Sequence, residues 1–306
     1  MQYSLVQRSL TGRRNTNQDR IASFEREDAV LLILADGLGG YPGSEHAAQT
    51  LVESVSRTFA RSPVIADPES FLVLAVAHAH SRINQRAREM GYSEVQAPRT
   101  TCVLCLVQGG CAFFAHVGDS RLYHLRDGEE LDRTVDHSTG SNPAARDLLG
   151  DDALDASPGR LWQCVGGPRR PQVSVGDVAV LTRDDLLLLC SDGLWHALPG
   201  GDLARALDPG DAPLDEALDG LLQLAMANPR YSGDNVSAIL FRYEDDMTAK
   251  PPPRRRTARA LDTSRMWSEA KRQHRERRTT KPVSDDDLQR ALDEIESFVK
   301  KIDDKL

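Results

Sequence analysis

Residues 29 to 40 read AVLLILADGLGG, a run of seven apolar residues followed by an aspartate and a glycine. The run lacks the alternation of a strand with one face in water, so it predicts a strand that is covered on both faces. Residues 186 to 190, LLLLC, repeat this pattern. Two such strands require layers of sheet and helix, because a half-exposed sheet would leave one face of each strand in water.

Aspartates stand beside glycines at the edges of four apolar runs. A glycine turn at a strand end points a carboxylate out of the sheet, whereas a carboxylate inside the run would be buried without a partner. One Asp-Gly pair alone is typical of a hairpin turn. Four of them together predict strand ends that converge on one hard cation site, formed by Asp36, Asp119, Asp192 and Asp234.

Around these runs the sequence alternates strands with long helices, which indicates an α+β fold. Strand patterns that follow one another closely between residues 100 and 126 favour antiparallel pairing. The predicted helices are 44–61, 68–89, 201–207 and 213–227, and the predicted strands are 2–9, 20–25, 29–35, 100–107, 111–117, 120–126, 172–181, 185–190 and 235–243.

A further carboxylate and a guanidinium, Asp19 and Arg14, belong to the loop before the second predicted strand. Carboxylates without histidine or cysteine partners favour Mg²⁺ or Mn²⁺ over zinc or copper. Two such ions held by shared aspartates suit phosphoryl chemistry, because they activate a bridging water and neutralise charge on phosphate oxygens. Arg14 can bind a phosphate by a planar, two-pronged hydrogen bond. These residues predict a metal-dependent phosphate hydrolase.

Seven segments, in this order, resemble the metal-dependent Ser/Thr protein phosphatases of the PP2C (PPM) family, particularly the compact bacterial members. They are GRRNTNQD (12–19), LADGLGGYPGSEHAA (34–48), RTTCVLCLV (99–107), HVGDSRLYHLRDG (116–128), DHS (136–138), LLLLCSDGLW (186–195) and GDNVSAIL (233–240). The resemblance implies a phosphatase domain over residues 1–244. It also implies a four-layer α-β-β-α sandwich of antiparallel sheets flanked by helices, with a binuclear Mn²⁺ or Mg²⁺ site at one sheet edge.

The resemblance assigns the metal ligands residue by residue. Asp36 would bridge the two ions, and the backbone carbonyl of Gly37 would join one of them. Asp192 and Asp234 would hold the other ion. Asp19 would reach the cluster directly or through water.

Further roles follow from the same resemblance. Arg14 would contact the substrate phosphate, and Asp119 matches the carboxylate that some bacterial members use for a third, weaker metal. A hydroxide that bridges the two ions shared by Asp36 would attack phosphorus in phosphoserine or phosphothreonine, reversing a Ser/Thr kinase. Asn235 is expected to fix its loop by side-chain to backbone hydrogen bonds rather than to touch the substrate.

Three departures from the family pattern keep alternatives open. Leu38 stands where many eukaryotic members have a histidine that is a candidate general acid, so protonation of the leaving group is unassigned. His196 stands where an acidic ligand for the third metal is frequent, and residues 138–167, which correspond to a mobile flap, match poorly. The alternatives are a pseudophosphatase that acts as a binding module, and a metal-dependent hydrolase of small phosphoesters. The intact metal carboxylates count against the first.

Composition places the chain among cytoplasmic proteins. It has 306 residues, of which 40% are apolar, and this is enough for a substantial core. No run reaches the roughly 18 consecutive apolar residues of a membrane helix, and the N-terminus lacks a signal-peptide core. The five cysteines are odd in number and lie mostly in apolar runs, which favours reduced thiols over a disulfide framework.

The C-terminal tail differs from the body in charge. Residues 246–306 hold 16 Lys and Arg against 12 Asp and Glu, which leaves 22 against 34 for residues 1–245. Residues 245–282 are rich in Pro and Arg and are predicted to be a disordered linker, because they cannot bury enough apolar area to become ordered. Apolar residues recur at helical spacing in residues 283–306, which predicts an amphipathic helix.

An apolar helical stripe is seldom left in water, so the tail helix is expected to dock on the body of the chain, on a second copy or on a partner protein. An independent, weakly helical tail is the alternative. Nucleic-acid binding by the basic linker is not expected, since it lacks interleaved aromatics and a recognisable fold.

Overall fold

The structure of the chain is a computed structural model that describes residues 1–138, 161–207 and 213–245. Its strands are β1 (Tyr3–Leu10), β2 (Asp19–Glu25), β3 (Ala29–Asp36), β4 (Cys102–Gln108), β5 (Cys111–Val117), β6 (Arg121–Arg126), β7 (Glu129–Arg133), β8 (Ser174–Val175), β9 (Ala179–Val180), β10 (Leu186–Cys190) and β11 (Val236–Tyr243). Its helices are α1 (Ser44–Arg61), α2 (Pro68–Glu89), the single turn α3 (Asp192–Trp195), α4 (Gly200–Ala206) and α5 (Leu214–Ala227).

The strands form two antiparallel sheets. One has the order β1-β11-β10-β6-β7, and the other has the order β2-β3-β4-β5-β8, with β9 also pairing with β5. In the first sheet β10 and β11 are neighbours in the middle, and in the second β2 and β3 are neighbours at one edge. These two pairs carry four of the aspartates singled out in the sequence.

The core confirms that the two apolar strands are covered on both faces. Alternate residues of β3 point to opposite sides of the sheet. Leu31 and Ile33 pack with α1 and α2, while Leu32 and Leu34 pack against residues such as Leu189 of the other sheet. The outer face of β10 and β11 packs against α4 and α5. The described residues therefore form helix, sheet, sheet and helix layers.

The observed elements agree with the predicted ones except in three places, the first of which is the unpredicted single turn α3 after β10. The predicted strand 172–181 is two short strands, because residues 176–178 lie opposite only residues 113–114 of β5 and interrupt the ladder. At Gly176 the backbone approaches the Phe114 ring so closely that a Cβ would lie 1.9 Å from it. The charged edge strand β7 was not predicted, because its sequence EELDR has no apolar face.

The predicted linker 245–282 and helix 283–306 lie, apart from Asp245, outside the described residues. Within the described ranges, none of the helices combines the length and apolar character that a membrane crossing requires.

Candidate metal centre

Two carboxylates of the site come from the end of one strand pair. Asp19 begins β2 and Asp36 ends β3, and the two are directly opposite each other in the antiparallel register. The backbone of Asp36 is fixed by Thr101, whose Oγ1 accepts from the Asp36 N–H (3.0 Å) and whose N–H donates to the Asp36 carbonyl (2.8 Å). Thr100 Oγ1 donates to the same carbonyl at 2.9 Å. The ladder and the two threonines together set the position of Asp36.

Two more carboxylates come from the middle of the other sheet. Asp192 follows β10 and opens α3, while Asp234 lies two residues before β11. Between them, Gly193 allows a close backbone approach, because a Cβ at this position would lie 2.1 Å from the Asn235 carbonyl oxygen. The glycine of this Asp-Gly pair is therefore required by packing and not only by a turn.

Ser191 links the two sheets at the site. Its Oγ donates to Oδ2 of Asp19 at 2.8 Å and accepts from the Ser237 N–H at 3.0 Å. Ser191 and Asp19 are both buried, at 0% and 2% exposure. This hydrogen bond holds the carboxylate of the β2 edge against the strands β10 and β11.

The carboxylates lie close enough together for their charges to raise one another's pKa. Burial, followed by the charges of Asp119, Asp234 and Asp19, raises the pKa of Asp192 to about 8. Burial and the charges of Asp19, Asp192 and Asp119 raise the pKa of Asp36 well above its usual value. The charges of the five aspartates therefore act on one another, and the strand ends that carry them lie on the same side of the molecule.

Arg14 lies beside this cluster. Its Nη2 donates to Oδ2 of Asp234 at 2.8 Å, and 57% of its side chain is exposed. The hydrogen bond and charge of Asp234, opposed by slight desolvation, raise the pKa of Arg14, and the charges of Asp192 and Asp36 add to this. Arg14 is a positive group that faces three of the carboxylates and remains open to solvent.

Asn235 holds the loop that carries Arg14, as the sequence predicts. Its Oδ1 accepts from the Gln18 N–H at 2.9 Å, and its Nδ2 donates to the carbonyls of Thr11 (2.8 Å) and Thr16 (3.1 Å). One amide side chain therefore satisfies three backbone groups and joins residues 11–18 to the start of β11.

Asp119 lies at the edge of the carboxylate cluster, on the turn between β5 and β6. Its pKa is raised to about 6, first by burial and then by the charge of Asp136, while Arg121 acts in the opposite direction. Its carbonyl accepts from Nε1 of Trp195 at 2.9 Å. Trp195 is in turn held between the Arg121 guanidinium, 3.5 Å from its ring, and the imidazole of His196, 3.8 Å away.

The sequence did not predict the contact of Trp195 with Asp119 or the hydrogen bonds by which Ser191 links the two sheets. Arg121 is fixed by a paired hydrogen bond to Asp136, with both distances at 2.8 Å. The serine in CSDG (190–193) and the tryptophan in DGLW (192–195) were the available signals, but the partners of both depend on sheet order.

The histidines singled out in the sequence differ in their placement. His46 lies on α1, half exposed, with its Nε2 3.7 Å from Glu45. His137 is buried and uses both ring nitrogens: Nδ1 accepts from the Gly118 N–H (3.2 Å) and Nε2 lies 2.8 Å from Ser174 Oγ. His137 therefore braces the turn before Asp119. His196 is exposed, with Nδ1 3.8 Å from Asp192.

The donor set fits a hard divalent cation. Oδ1 of Asp19 is buried and lacks a hydrogen-bond partner among the described residues, which is costly for a carboxylate unless a cation or proton is nearby. Across the described ranges, no three His, Cys, Asp or Glu side chains lie in an arrangement that could hold a metal ion without movement. The aspartates form a cluster of repelling oxygens, a composition that suits Mg²⁺ or Mn²⁺ better than zinc.

Comparisons with known proteins agree with this fold. A family model described as Protein phosphatase 2C matches residues 6–223. The protein phosphatase PhpP of Streptococcus pneumoniae is 27% identical over 238 residues, covering 76% of this chain and 94% of that protein. The structure of the S. agalactiae serine/threonine phosphatase superposes with a TM-score of 0.67 at 28% identity, covering 79% of this chain and 100% of that one.

A second similar structure contains metal. It is the catalytic domain of serine threonine protein phosphatase PstP in complex with two manganese ions, with a TM-score of 0.62 and 26% identity, covering 79% of this chain and 99% of that one.

Proposed function

This chain belongs to the protein phosphatase 2C family, and we propose that it hydrolyses phosphoserine and phosphothreonine in proteins at the cluster of Asp19, Asp36, Asp192 and Asp234. It is a metal-dependent serine/threonine phosphatase, like the relatives that it matches along nearly their whole length. The observation that carries the assignment to these residues is the convergence of carboxylates from both sheets. Their mutual repulsion and the exposed arginine beside them define a site for cations and a phosphate.

The cofactors are Mn²⁺ or Mg²⁺. Asp36 would be shared by two ions, with the Gly37 carbonyl joining one, while Asp192 and Asp234 would hold the other and Asp19 would complete the cluster. When bound, such ions lower the pKa of a water molecule and offset negative charge on phosphate oxygens.

Asp119 would hold a third, weaker ion. The pKa of Asp119, raised to about 6 against about 8 for Asp192, and its position at the edge of the carboxylate cluster support a looser site than that of Asp192. His196 would face this ion, because its imidazole lies beside Asp192 and against Trp195.

Arg14 would bind and orient the phosphate. One of its nitrogens donates to Asp234, which fixes the guanidinium beside the carboxylates. A guanidinium has five N–H donors in a planar fork, so donors remain for two oxygens of a phosphoryl group. Asn235 maintains this position by holding both ends of the Arg14 loop.

One assay separates this function from its alternatives. Turnover with Mn²⁺ is compared for a phosphothreonine peptide, a small aryl phosphate and a nucleotide, using the wild type, Asp36→Asn and Asp192→Asn. We expect the peptide to be preferred and both variants to lose at least about 100-fold in kcat/KM, since each removes charge that holds the ions. Asp184→Asn is the matched control, because Asp184 is exposed at the opposite end of β10.

The possible outcomes differ for each hypothesis. Preference for the nucleotide or the aryl phosphate would indicate a small-phosphoester hydrolase. Absence of turnover in the wild type with Mn²⁺ bound would indicate a pseudophosphatase. Wild-type rates in both aspartate variants would refute the assignment of the site.

The partners would be phosphoproteins of a Ser/Thr kinase pathway, in the cytoplasm. All five cysteines are free, which supports a reducing compartment. We also propose that the tail helix 283–306 docks on the body, a second copy or a partner, since the linker before it is basic and the body is acidic. Deleting residues 246–306 should change the oligomeric state or the activity, and no change in either would favour an independent tail.

A further inference from the structure

Arg99 lies beside the end of β3, which carries Asp36 of the carboxylate cluster. Its carbonyl accepts from the Leu38 N–H at 3.0 Å. The next residue, Thr100, pairs with Gly37 on one side and with Val165 on the other. Arg99 therefore immediately precedes the threonines that fix Asp36, on a segment that is held on both sides.

The side chain of Arg99 is held in place by its surroundings. Its guanidinium carbon lies 4.2 Å from the centre of the Tyr41 ring. Gly167, at a φ of +74°, makes room for it, because a Cβ there would lie 2.7 Å from Nε of Arg99. Asn84 of α2 donates to the Gly167 carbonyl at 2.9 Å and so holds that turn. A guanidinium held in this way loses little side-chain entropy when it binds an anion.

No carboxylate among the described residues forms an ion pair with Arg99 or with the exposed Arg169. Nε of Arg99 is buried and has no hydrogen-bond acceptor in that part of the chain. Arg169 follows Gly167 by two residues, and Gly167 lies against Nε of Arg99. The charges of both arginines oppose the rise that burial causes in the pKa of the Cys164 thiol.

This unbalanced positive charge contrasts with the rest of the body. Residues 1–245 carry 34 acidic and 22 basic side chains, so most of the surface repels an acidic peptide. Several other described arginines are paired with carboxylates, for example Arg121 with Asp136 and Arg126 with Asp185. Two guanidinium groups that have no carboxylate partner in the described part of the chain, close to the proposed phosphate site, are suited to a second anion.

We infer that Arg99 and Arg169 form a subsite for a second anionic group of the phosphoprotein substrate, either an acidic side chain or a second phosphate near the residue that is dephosphorylated. This inference rests on the proposed function and adds a substrate class to it. A guanidinium fork matches the oxygens of a carboxylate and of a phosphate, and the Arg99 guanidinium lies over the Tyr41 ring.

The test uses the full chain with Mn²⁺ and phosphothreonine peptides that differ only in the neighbouring residues, which are glutamate, glutamine, lysine or phosphoserine. For the wild type we expect kcat/KM for the glutamate and phosphoserine peptides to exceed that for the glutamine peptide by about tenfold. Arg99→Gln should reduce this ratio to about threefold or less. Arg169→Glu, at an exposed position, should invert it in favour of the lysine peptide.

The matched control is Arg57→Gln on α1, where Arg57 is exposed and paired only with Glu53 at 3.8 Å. It should keep the wild-type ratio. The larger of the glutamate and phosphoserine effects identifies which anion the subsite prefers. Equal kcat/KM for glutamate and glutamine peptides in the wild type, or the same ratio in Arg99→Gln and Arg57→Gln, would overturn the inference.

Binding separates this inference from the proposed activity. The same peptides, with the phosphothreonine replaced by a non-hydrolysable phosphonate, are titrated by fluorescence anisotropy. If turnover is absent but affinity still follows the charge of the flanking residues and depends on Arg99, the subsite stands and the proposed activity fails. If peptides are hydrolysed but neither rate nor affinity depends on flanking charge, the activity stands and the subsite fails.

Discussion

Asp19 and Asp36 lie directly opposite each other at the end of the β2–β3 pair. Burial raises the pKa of both carboxyl groups, and the charge of Asp19 raises that of Asp36 further. Like charges at opposed positions destabilise a strand pair. The pair can be stable only when a proton or a cation lies between the two carboxylates, so metal binding and protonation compete at this point of the fold.

This competition predicts how the stability of the metal-free protein depends on pH. The pKa of Asp192 is raised to about 8 in the fold, above its value in the unfolded chain. The contribution of Asp192 to the free energy of unfolding is therefore fully present below about pH 4 and is lost as the pH rises towards 8. The loss is about 1.4 kcal/mol for each unit by which the fold raises the pKa. In EDTA, the urea midpoint of the wild type should fall between about pH 5 and pH 8.5 more steeply than that of Asp192→Asn.

Addition of Mn²⁺ should remove most of this difference, since the cation replaces the proton. Asp184→Asn, at an exposed position, should keep the wild-type slope. Equal pH slopes for the wild type and Asp192→Asn in EDTA would show that Asp192 is not part of the repelling cluster.

Arg14→Lys should impair catalysis far more than folding. Lysine keeps the charge but not the planar fork, so we expect kcat/KM to fall by about 10- to 100-fold for the phosphopeptide and for the aryl phosphate alike. The free energy of unfolding should change by less than about 1 kcal/mol, because the Arg14–Asp234 pair is largely exposed. Arg8→Lys, which alters a comparable surface pair with Asp219, is the control. A loss with the peptide alone would place Arg14 outside the phosphate site.

Gly193→Ala should disrupt the site through the backbone. The added Cβ would lie 2.1 Å from the Asn235 carbonyl oxygen, so Asp192 and Asp234 must separate. We expect a loss of about 1–3 kcal/mol or more in unfolding free energy, with weaker Mn²⁺ binding by calorimetry.

Gly220→Ala is the matched control for that substitution. Gly220 lies in α5 and a Cβ there would have no neighbour within 4 Å, so this change should be neutral or stabilise the protein by up to about 1 kcal/mol. Similar effects of the two substitutions would contradict a role for close approach at Gly193.

The features that the sequence predicted are those whose cause is local. The apolar runs at β3 and β10 and the glycines after Asp36 and Asp192 locate the strands and their carboxylate ends without knowledge of sheet order. The contact between Ser191 and Asp19 joins residues 172 positions apart, and it exists only because the edge β2–β3 meets β10–β11. The support of Asp119 by Trp195 likewise depends on the pairing of β10 with β6. Such contacts follow from topology, which no short segment encodes.

Ser191→Ala tests the link between the two sheets. The hydroxyl donates to Oδ2 of Asp19 and accepts from the Ser237 N–H, and all of these groups are buried. Alanine would leave Oδ2 of Asp19 and the Ser237 N–H without the serine hydroxyl as a hydrogen-bond partner. Oδ1 of Asp19 already lacks a hydrogen-bond partner among the described residues. We expect a loss of about 1–3 kcal/mol in unfolding free energy. We also expect Mn²⁺ affinity to fall by about 10-fold or more, because Asp19 loses the group that orients it.

Ser56→Ala distinguishes this effect from the loss of any serine hydroxyl. Ser56 Oγ donates to the Glu53 carbonyl of α1 at 3.0 Å, away from the carboxylates, so its removal should leave Mn²⁺ affinity unchanged. Calorimetric titration of both variants provides the comparison. If Ser191→Ala loses stability but binds Mn²⁺ as the wild type does, Asp19 contributes to folding and not to the metal site. If it loses both, the hydrogen bond between the sheets is what aligns Asp19 with the other carboxylates.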